Sequence, residues 1–453
     1  MTVTLIQNAM IIATMDDAQT EWPDASLVIQ DGVIAALGPP DTLREWADLA
    51  DQVIDASGTV ITPGLVNTHH HMFQTLTRAV PNGVDASLFD WLKTLYPIWA
   101  RYRPEDVYVS AQAAMAELVL SGCTLTSDHH YVYPDGVQLD DTIAAADTIG
   151  IRLHATRGSM SIGQSHGGLP PDFLVEKASA ILDDTIRVID QFHDPSPGAK
   201  VRIGVAPCSP FSVSRELMRD SALLARDKGV RLHTHLAENV EDVAFSLEQY
   251  GCRPGLYAEQ LGWLGADVWH THCVQLDQDE IQLFADTGTG VAHCPNSNGR
   301  LGSGIAPIKA MREAGVPVGL GVDGAASNDS SQLLLEARQA LLFQRAENGA
   351  DAMRARDALW LATRGGAEIM GWDSCGQLKS GMRADLVIWD LSTLESLGVW
   401  DPIAALILCA GIRPRDVFIE GQRVVEQGRL TSEDVDNIKH RAQQSIRRLQ
   451  QTA

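Results

Sequence analysis

Cysteine is scarce in this sequence, and its spacing carries no metal or disulfide motif. The 453 residues include seven cysteines, an odd number, and no C-x-x-C pair occurs among them. This pattern argues against both a disulfide framework and a thiolate zinc site, and it favours a reducing compartment. The N-terminus also has no basic segment of the kind that opens an export signal. We therefore expect a cytoplasmic protein.

Positive charge and long apolar runs are also limited. Lys and Arg number 35 against 58 Asp and Glu, for a formal charge of −23, which repels phosphate backbones and anionic lipid surfaces. No apolar run approaches the roughly 20 residues that span a bilayer. Polymeric nucleic acid and membranes are therefore not expected as partners. The hydrophobic content of 45% is typical of a globular protein with a large core.

The chain shows β-like segments at both ends and a repeating pattern between them. Residues 1–57 and 366–453 contain short strands and turns, and we expect them to build one small β-sandwich domain, with an amphipathic helix after Ser432 packed on it. Over residues 58–365, eight apolar strands alternate with helical patterns, which predicts a (β/α)8 barrel. Catalytic groups in such barrels lie at the carboxyl ends of the strands. These ends are predicted near Thr68, Ser127, Thr156, Pro207, His235, His272, His293 and Val322.

Several histidines fall at these predicted strand ends. His69, His70 and His71 follow the apolar run Val60–Val66, which we predict to be the first barrel strand. Because side chains alternate along a strand, His69 and His71 share one face while His70 points away. The pair therefore makes a two-point chelate for a metal ion.

Two further H-x-H pairs end at His235 and His272, and the eighth strand runs into Asp323. A mononuclear catalytic metal binds about three or four protein ligands, so some of these groups are bystanders. Glu238 lies three residues beyond His235, where a carboxylate can face a bound substrate. We therefore interpret His235 as a ligand and His233 as a residue of the layer behind it.

Other metal motifs are absent from the sequence. There is no H-E-x-x-H motif, and the H-x-E with P-C-x-x-C signature of zinc nucleoside deaminases is missing. The fourth predicted strand, Val201–Pro207, has a lysine only at its beginning, Lys200. Barrel hydrolases with two metals usually carry a bridging carboxylated lysine on the fourth strand, at the end where the catalytic groups lie. Lys200 lies at the opposite end. One metal per chain is therefore expected.

Several segments together carry a family resemblance. They are Thr68–His71, His235–Glu238, His272, Val322–Asp329 and Gly376–Leu391. This set is similar to the amidohydrolase superfamily, in its mononuclear aminohydrolase branch, and the similarity extends over nearly the whole chain. The resemblance implies a metal-dependent barrel hydrolase whose small β domain is split between both termini.

Within that branch, four segments resemble the 8-oxoguanine deaminases most closely, and hydroxyatrazine hydrolases, chlorotriazine hydrolases and isoxanthopterin deaminases share much of the pattern. The segments are Asn67–Pro81, Gly158–Asp172, Ala206–Ser214 and His233–Val240. The resemblance implies hydrolytic deamination of an aminated heterocyclic base, with 8-oxoguanine converted to urate and ammonia as the first hypothesis. The alternatives are a triazine hydrolase, a deaminase of isoxanthopterin or guanine, and a non-catalytic scaffold of the same fold.

The resemblance also implies roles for individual residues. The implied ligands of one zinc ion are His69, His71, His235 and Asp323. Iron or manganese suits the same ligands. Asp323 would also accept a proton from the attacking water, and Glu238 would protonate the ring nitrogen beside the attacked carbon. His272 would orient the nucleophile.

Substrate contacts are predicted from position alone. Gln74 lies in the long insertion Met72–Pro104, which we expect to form a lid, and its carboxamide can hydrogen-bond the amide edge of a ring. Arg157 and Ser159 follow the third strand and are further candidates for substrate binding. The expected partners are a small heterocyclic substrate and further copies of the chain in a homo-oligomer.

Overall fold

Strands from both ends of the chain form one mixed sheet in the computed structural model, which describes residues 2–451. Its N-terminal strands are β1 (Val3–Ala13), β2 (Glu21–Gln30), β3 (Val33–Gly38), β4 (Gln52–Asp55) and β5 (Thr59–Pro63). β2 pairs antiparallel with β1 and β3, whereas β4 and β5 run parallel to β1. Asp31 and Gly32 turn the chain between β2 and β3 with φ values of 48° and 80°, as a type I′ hairpin turn requires.

A second sheet follows, in which each strand runs parallel to the next one along the chain. Its strands are β6 (Leu65–Asn67), β7 (Cys123–His130), β8 (Arg152–Ser159), β9 (Val201–Pro207), β10 (Arg231–Leu236), β11 (Val268–His272), β12 (Gly290–His293) and β13 (Val318–Leu320). The first and last strands meet, because Thr68 N donates to Leu320 O at 2.9 Å and Asp323 N donates to His69 O at 3.1 Å. The sheet is therefore a nearly closed barrel, and its carboxyl ends lie together.

The remaining strands complete the first sheet from the C-terminal side. They are β14 (Leu386–Asp390), β15 (Pro414–Ile419), β16 (Gln422–Glu426) and β17 (Arg429–Leu430). β14 pairs antiparallel with β5, which joins the two halves of the sheet. The predicted fold class, a (β/α)8 barrel with a small β-sandwich domain built from both termini, is confirmed, and the described strands of the small domain belong to one mixed sheet.

Helices cover the outside of the barrel and connect its strands. The α-helices are α1 (Arg44–Ala47), α2 (Leu88–Trp99), α3 (Pro104–Leu120), α4 (Leu139–Ile149), α5 (Ala178–Phe192), α6 (Arg215–Lys228), α7 (Val240–Tyr250), α8 (Pro254–Gln260), α9 (Gln278–Thr287), α10 (Pro295–Arg300), α11 (Ile308–Ala314), α12 (Leu333–Asn348), α13 (Ala355–Trp360), α14 (Gly366–Ile369), α15 (Pro402–Leu408) and α16 (Val435–Gln451). A π-helical turn, Leu361–Gly365, joins α13 to α14. Between residues 2 and 451, no helix combines the length and the apolar character needed to cross a membrane.

The apolar run Val60–Val66 is not the single barrel strand that the sequence predicted. It is divided at Gly64 between β5 of the first sheet and β6 of the barrel. The chain passes so close to β7 at this point that a Cβ on Gly64 would lie 1.9 Å from Oγ1 of Thr124. The apolar pattern could not show this crossing, because both halves of the run are buried. The division of the chain into 1–57, 58–365 and 366–453 stays a prediction.

The C-terminal helix forms as predicted but packs elsewhere. α16 lies against α3 of the barrel layer, and its side chains reach that helix through ion pairs and hydrogen bonds, including those of Arg448 with Asp106 and of Arg441 with Gln112 (2.7 Å). The expectation that it covers the small β domain is therefore wrong. Amphipathic spacing identified the buried face of this helix but carried no information about the surface that covers it.

Candidate active site

The side chains predicted to bind the metal lie together at the carboxyl ends of β6, β10 and β13. Oδ1 of Asp323 is 3.3 Å from Nε2 of His69 and 3.3 Å from Nε2 of His71. Nε2 of His71 is 3.1 Å from Nε2 of His235. The three strand ends therefore bring one carboxylate oxygen and three imidazole nitrogens close together. Among the described residues, those that could hold a metal fall in two groups that share His69, one with His71, His129 and His235 and the other with His272 and Asp323.

Backbone carbonyls fix the tautomers of two of these rings. Nδ1 of His71 is 2.7 Å from the carbonyl of His129, and Nδ1 of His235 is 2.6 Å from the carbonyl of Cys208. A carbonyl only accepts, so each Nδ1 carries the proton and each Nε2 of the neutral ring presents a lone pair. Two lone pairs that face one another at 3.1 Å repel unless a cation lies between them, so this geometry fits a metal ion.

A third ring is held in the same tautomer through a second histidine. His233 Nδ1 donates to the carbonyl of Trp269 at 2.9 Å, so His233 Nε2 is an acceptor and receives the Nδ1 proton of His69 at 2.7 Å. His69 Nε2 is then a lone pair, and it is buried without a hydrogen-bond partner in the described part of the chain. This relay makes His69 Nε2 available to a metal and places His233 one layer behind it.

Burial sets the charge of these ligands. Removal from water lowers the pKa of His69 and of His235 well below the ordinary histidine value, and it lowers the pKa of His71 as well. The rings are therefore neutral, which is the form that binds metal. His129 is a further member of the group whose ring nitrogens lie within 4.8 Å of one another, although its Nε2 donates to the carbonyl of Ala206 at 2.8 Å.

Asp323 is the only anionic member of the proposed ligand set. Burial by itself would raise the pKa of this carboxyl, but the adjacent imidazoles of His69, His71 and His272 hold it well below its usual range. Its Oδ2 accepts hydrogen bonds from the hydroxyls of Ser297 (2.5 Å) and Ser327 (3.0 Å). These donors keep the carboxylate ionised and leave Oδ1 toward the histidines.

Glu238 and His272 form the other side of the site. Oε2 of Glu238 is 3.5 Å from Nε2 of His272, and Nδ1 of His272 is 2.8 Å from Oδ1 of Asn298. Burial, and then the charge of Asp323, raise the pKa of Glu238 well above its ordinary value. Its Oε1 is buried and has no partner among residues 2–451. Glu238 is therefore a buried carboxyl in the cavity lining whose pKa is raised toward the protonated form.

The backbone is strained where these residues are presented. Ala237, His272 and Asp323 have φ values of 50°, 71° and 63°. These values lie in the left-handed region, which residues other than glycine rarely adopt. Such residues cost on the order of 1–3 kcal/mol each and persist where the surrounding structure enforces them. In this site the turns that follow β10, β11 and β13 direct the side chains inward, and the left-handed backbone conformation costs this free energy.

One cavity joins both groups, and the Met72–Pro104 insertion covers it. His71, His235, Glu238, His272 and Asp323 line its base. The insertion contributes Gln74, Leu88, Trp91, Leu92 and Tyr96. Its helix α2 is fastened across the barrel mouth by Trp91, whose Nε1 donates to the carbonyl of Ala326 at 3.1 Å. Gln74 is buried in this lining with no partner for Oε1 in the described chain, so the predicted position of Gln74 is compatible with substrate binding.

Arg157 and Ser159 do not line this cavity. The Arg157 guanidinium points toward α5, where it pairs with Asp184 (2.8 Å) and Glu176 (2.8 Å) and lies over the ring of Tyr133. Its donors are used by these partners, and the structure contradicts a role in direct substrate contact. Ser159 is two residues further along the same strand and therefore shares the face of Arg157. Its placement argues against a substrate contact as well.

Sequence reasoning missed the residues that support the site. Ser297 and Asn298 lie in α10, just after β12, and contact Asp323 and His272. Tyr131 follows β7 and lines the cavity, with its hydroxyl 3.5 Å from Nε2 of Gln74. All three follow the carboxyl end of a barrel strand, and that position is the one signal that could have identified them.

The fold and the site define a metal-dependent barrel hydrolase, and comparison with known proteins gives its family. The model of the Amidohydrolase family matches residues 60–424. The chain therefore belongs to the amidohydrolase family, as the sequence resemblance indicated.

Individual relatives match nearly the whole chain. An 8-oxoguanine deaminase from Pseudomonas aeruginosa is 44% identical over 447 residues, with 98% of each chain covered. An isoxanthopterin deaminase from an unknown prokaryotic organism is 37% identical over 478 residues, with 98% of this chain and 97% of the relative covered. The structure of an atrazine chlorohydrolase from Arthrobacter aurescens TC1 complexed with zinc is similar at a TM-score of 0.94 and 34% identity, over 98% of this chain and 100% of that chain.

Proposed function

We propose that the chain is a zinc-dependent aminohydrolase that converts 8-oxoguanine to urate and ammonia. The observation that carries this proposal is the meeting of two kinds of group at one cavity, namely the histidine lone pairs beside the carboxylate of Asp323 and the buried carboxyl of Glu238, whose pKa burial raises. As a member of the amidohydrolase family with deaminase relatives, the chain is a hydrolase that acts on C–N bonds. The 44% identity to an 8-oxoguanine deaminase supports this particular base.

The donor set fits one divalent metal. We assign the ligands as His69, His71, His235 and Asp323. Three neutral imidazoles and a carboxylate are typical ligands of zinc, and zinc is present in a structure of TM-score 0.94 to this chain. When bound, the ion makes a water molecule a nucleophile at neutral pH by lowering its pKa to about 7.

Two carboxyl groups in opposite protonation states move the protons. Asp323 is ionised and accepts a proton from the attacking water at Oδ1, while Glu238 donates its proton to the ring nitrogen beside the attacked carbon. Asp323 then passes its proton to the departing amino group, and the C–N bond breaks as ammonia leaves. The second water proton returns to Glu238 as the new carbonyl forms. The reaction thus converts an amino-substituted C=N unit and water into an amide and ammonia.

The cavity lining suits a flat heterocycle. Aromatic rings of Trp91, Tyr96, Tyr131 and Phe211 surround the space above the histidines, and such rings pack on the faces of planar ligands. The unpaired Oε1 of Gln74 supplies an acceptor at the edge of this space. These features support a ring with N–H donors at its rim.

A substrate panel tests the proposal. The zinc-loaded full chain is assayed for product release from 8-oxoguanine, guanine, isoxanthopterin and hydroxyatrazine, and kcat/KM is compared. We expect 8-oxoguanine to be preferred by at least about tenfold, the difference that one good hydrogen bond supplies. A preference of that size for another base would replace 8-oxoguanine as the substrate. A fully zinc-loaded chain that turns over none of the four would favour a non-catalytic scaffold.

A triazine hydrolase is the second candidate, because the similarity to an atrazine chlorohydrolase extends over the entire fold. The product distinguishes the two reactions, since hydroxyatrazine releases an alkylamine whereas 8-oxoguanine releases ammonia. The homo-oligomeric state and the cytoplasmic location stay predictions.

A further inference from the structure

A second polar cavity lies at the other end of the barrel from the active site. Its volume is about 190 Å³, well above the space that a single water molecule needs. It lies near the amino ends of β8, β9 and β10, against the end of α14. The ionisable side chains that line it are all basic, and they are His154, His193, Arg202 and Arg231. The chain as a whole carries a formal charge of −23, so the basic lining of this cavity is opposite in sign to the net charge of the protein.

The two arginines are bound by neutral acceptors only. Nη1 of Arg202 donates to the carbonyl of Gly371 at 2.6 Å, and Nη1 of Arg231 donates to the carbonyl of Ala266 at 2.6 Å. Within residues 2–451, every hydrogen-bond acceptor of these guanidinium groups is a backbone carbonyl, and neither forms an ion pair. Nε of Arg202 is buried with no acceptor in that range. The positive charges are therefore not neutralised by a bound carboxylate of the protein.

Nearby carboxylates act on the arginines only from a distance. Asp194 and Asp373 favour the charged form of Arg202, but burial lowers the pKa of this guanidinium in spite of them. Asp194 is used locally, because its Oδ1 accepts the N–H of Ser196 at 2.8 Å. The guanidinium donors of the cavity therefore still lack an anionic partner from the described chain.

The two histidines add donors of fixed orientation. Nε1 of Trp372 donates to Nδ1 of His154 at 3.3 Å, and the backbone N–H of Ile203 donates to Nδ1 of His193 at 3.0 Å. In a neutral imidazole whose Nδ1 accepts, Nε2 carries the proton. The Nε2 proton of His154 is buried and has no acceptor in the described residues. An unsatisfied buried donor of this kind costs about 1–3 kcal/mol.

We propose that this cavity is a binding site for a small oxyanion of the phosphate class. The ligand must supply several acceptor oxygens and negative charge, because the ionisable side chains that line the cavity are two guanidinium groups and two imidazoles. A phosphate group provides both, and guanidinium groups match its geometry with paired N–H donors. A carboxylate has fewer oxygens and less charge, so it satisfies fewer of the donors.

The test uses the zinc-loaded full chain and inorganic phosphate as the probe, with binding followed by calorimetry and by phosphorus NMR at pH 7.5. We expect one phosphate to bind at this end of the barrel, and Arg231→Met and His154→Phe each to weaken it by about tenfold or more, since each removes a charge-assisted or buried hydrogen bond. Deamination by both variants is expected to be unchanged, which shows that they fold.

Arg226→Met is the matched control. Arg226 lies on a neighbouring helix at the same end of the barrel, but its guanidinium pairs with Asp267 at 3.0 Å, so its removal is expected to leave phosphate affinity unchanged. Phosphate bound at the active-site metal would survive all three substitutions. The proposal is overturned if the wild type binds no phosphate at millimolar concentrations, if Arg231→Met and His154→Phe bind it as the wild type does, or if acetate binds equally well.

Discussion

The two ends of the barrel orient their histidine rings in opposite ways. At the carboxyl ends of the strands, Nδ1 of His71 and of His235 donates to a backbone carbonyl, so the Nε2 lone pairs face one another. At the amino ends, Nδ1 of His154 and of His193 accepts an N–H, so Nε2 carries the proton. The partner of Nδ1 therefore decides whether the free nitrogen of the ring attracts a cation or an anion.

Charge alone would not reveal this difference. Burial lowers the pKa of His235 and of His154 well below the ordinary value, so both rings are neutral. The neighbours complete the contrast, because the carboxylate of Asp323 lies beside the lone pairs and the guanidinium of Arg231 lies beside the Nε2 protons. Neutral histidines thus acquire selectivity from the direction of their hydrogen bonds.

Loss of one metal-binding imidazole at the carboxyl ends of the strands is expected to have the largest effect on activity. His235→Ala leaves the metal with one ligand fewer, and we expect both zinc content and turnover to be lost, with kcat/KM reduced by at least about 10⁴-fold. Zinc is measured by elemental analysis after dialysis. His154→Phe is the control from the other end of the barrel and is expected to retain zinc and turnover. Full zinc content in His235→Ala would contradict the assignment of this ligand.

The acid opposite the metal group gives the next largest effect. Glu238→Gln keeps the shape of the side chain but cannot donate the carboxyl proton, so we expect kcat to fall by about 10³-fold while zinc stays bound. Glu241→Gln, an exposed carboxyl at the start of α7, is the matched control and is expected to behave as the wild type. Near-normal turnover by Glu238→Gln with full zinc content would remove Glu238 from the mechanism.

The comparison also shows how much of the site the sequence could predict. The spacing of His69 and His71 and the position of Asp323 at a strand end predicted residues that the structure brings together, because strand alternation and barrel geometry are regular. Arg157 was misplaced because β8 turns that residue toward α5, and the register that decides this is a property of the whole barrel. The tautomers were not predictable, since they depend on carbonyls of neighbouring strands.

The fold was predictable to a similar extent. Apolar runs and their ends indicated the barrel, but the passage between the two sheets at Gly64 left no sign in the hydrophobic pattern. The amino-end cavity was equally hidden, because His154, Arg202 and Arg231 are far apart in the chain and lie in no motif. Only the pairing of β8, β9 and β10 brings their side chains to one cavity.

A substitution behind the metal ligands is expected to have a smaller effect on zinc binding. His233→Phe keeps a ring in place of the one that stacks on Trp269, at a centroid distance of 4.5 Å, but removes the acceptor that fixes His69. We expect zinc affinity to fall by about 10–100-fold, as is usual for partners behind metal ligands. Competition with a chelator measures this affinity.

The control for that change is the first histidine of the H-x-H pair on the next strand, which lies opposite Thr234. Nε2 of His270 donates to the carbonyl oxygen of Trp263 at 2.8 Å, and the ring is not among the groups that could hold a metal in the described chain. His270→Phe is therefore expected to bind zinc as the wild type does. Equal affinities for the two variants would show that the Nδ1 partner of His69 does not matter to the metal.

The smallest expected effect concerns a carboxyl behind Glu238. Asp242 accepts the N–H of Glu238 at 2.8 Å, and its Oδ1 is buried without a partner in the described chain. Burial raises the pKa of Asp242 from 3.8 to about 7. The folded protein therefore holds a proton here that the unfolded chain has lost between these two pH values. Its stabilising contribution is complete below the lower value and is lost as the pH rises through the upper one.

Asp242→Asn tests this directly, because an amide resembles the protonated acid at every pH. Relative to this variant, we expect the free energy of unfolding of the wild type to fall by on the order of 1 kcal/mol per pH unit between about pH 4 and pH 7. Urea denaturation across that range measures the difference, and Asp183→Asn, on an exposed position of α5, should follow the wild-type slope. Parallel curves for the wild type and Asp242→Asn would mean that Asp242 is ionised throughout. The carboxyl end of the barrel would then hold a buried, ionised Asp242 beside Glu238. The contrast with the basic cavity at the amino end would in that case include carboxylates as well as histidines.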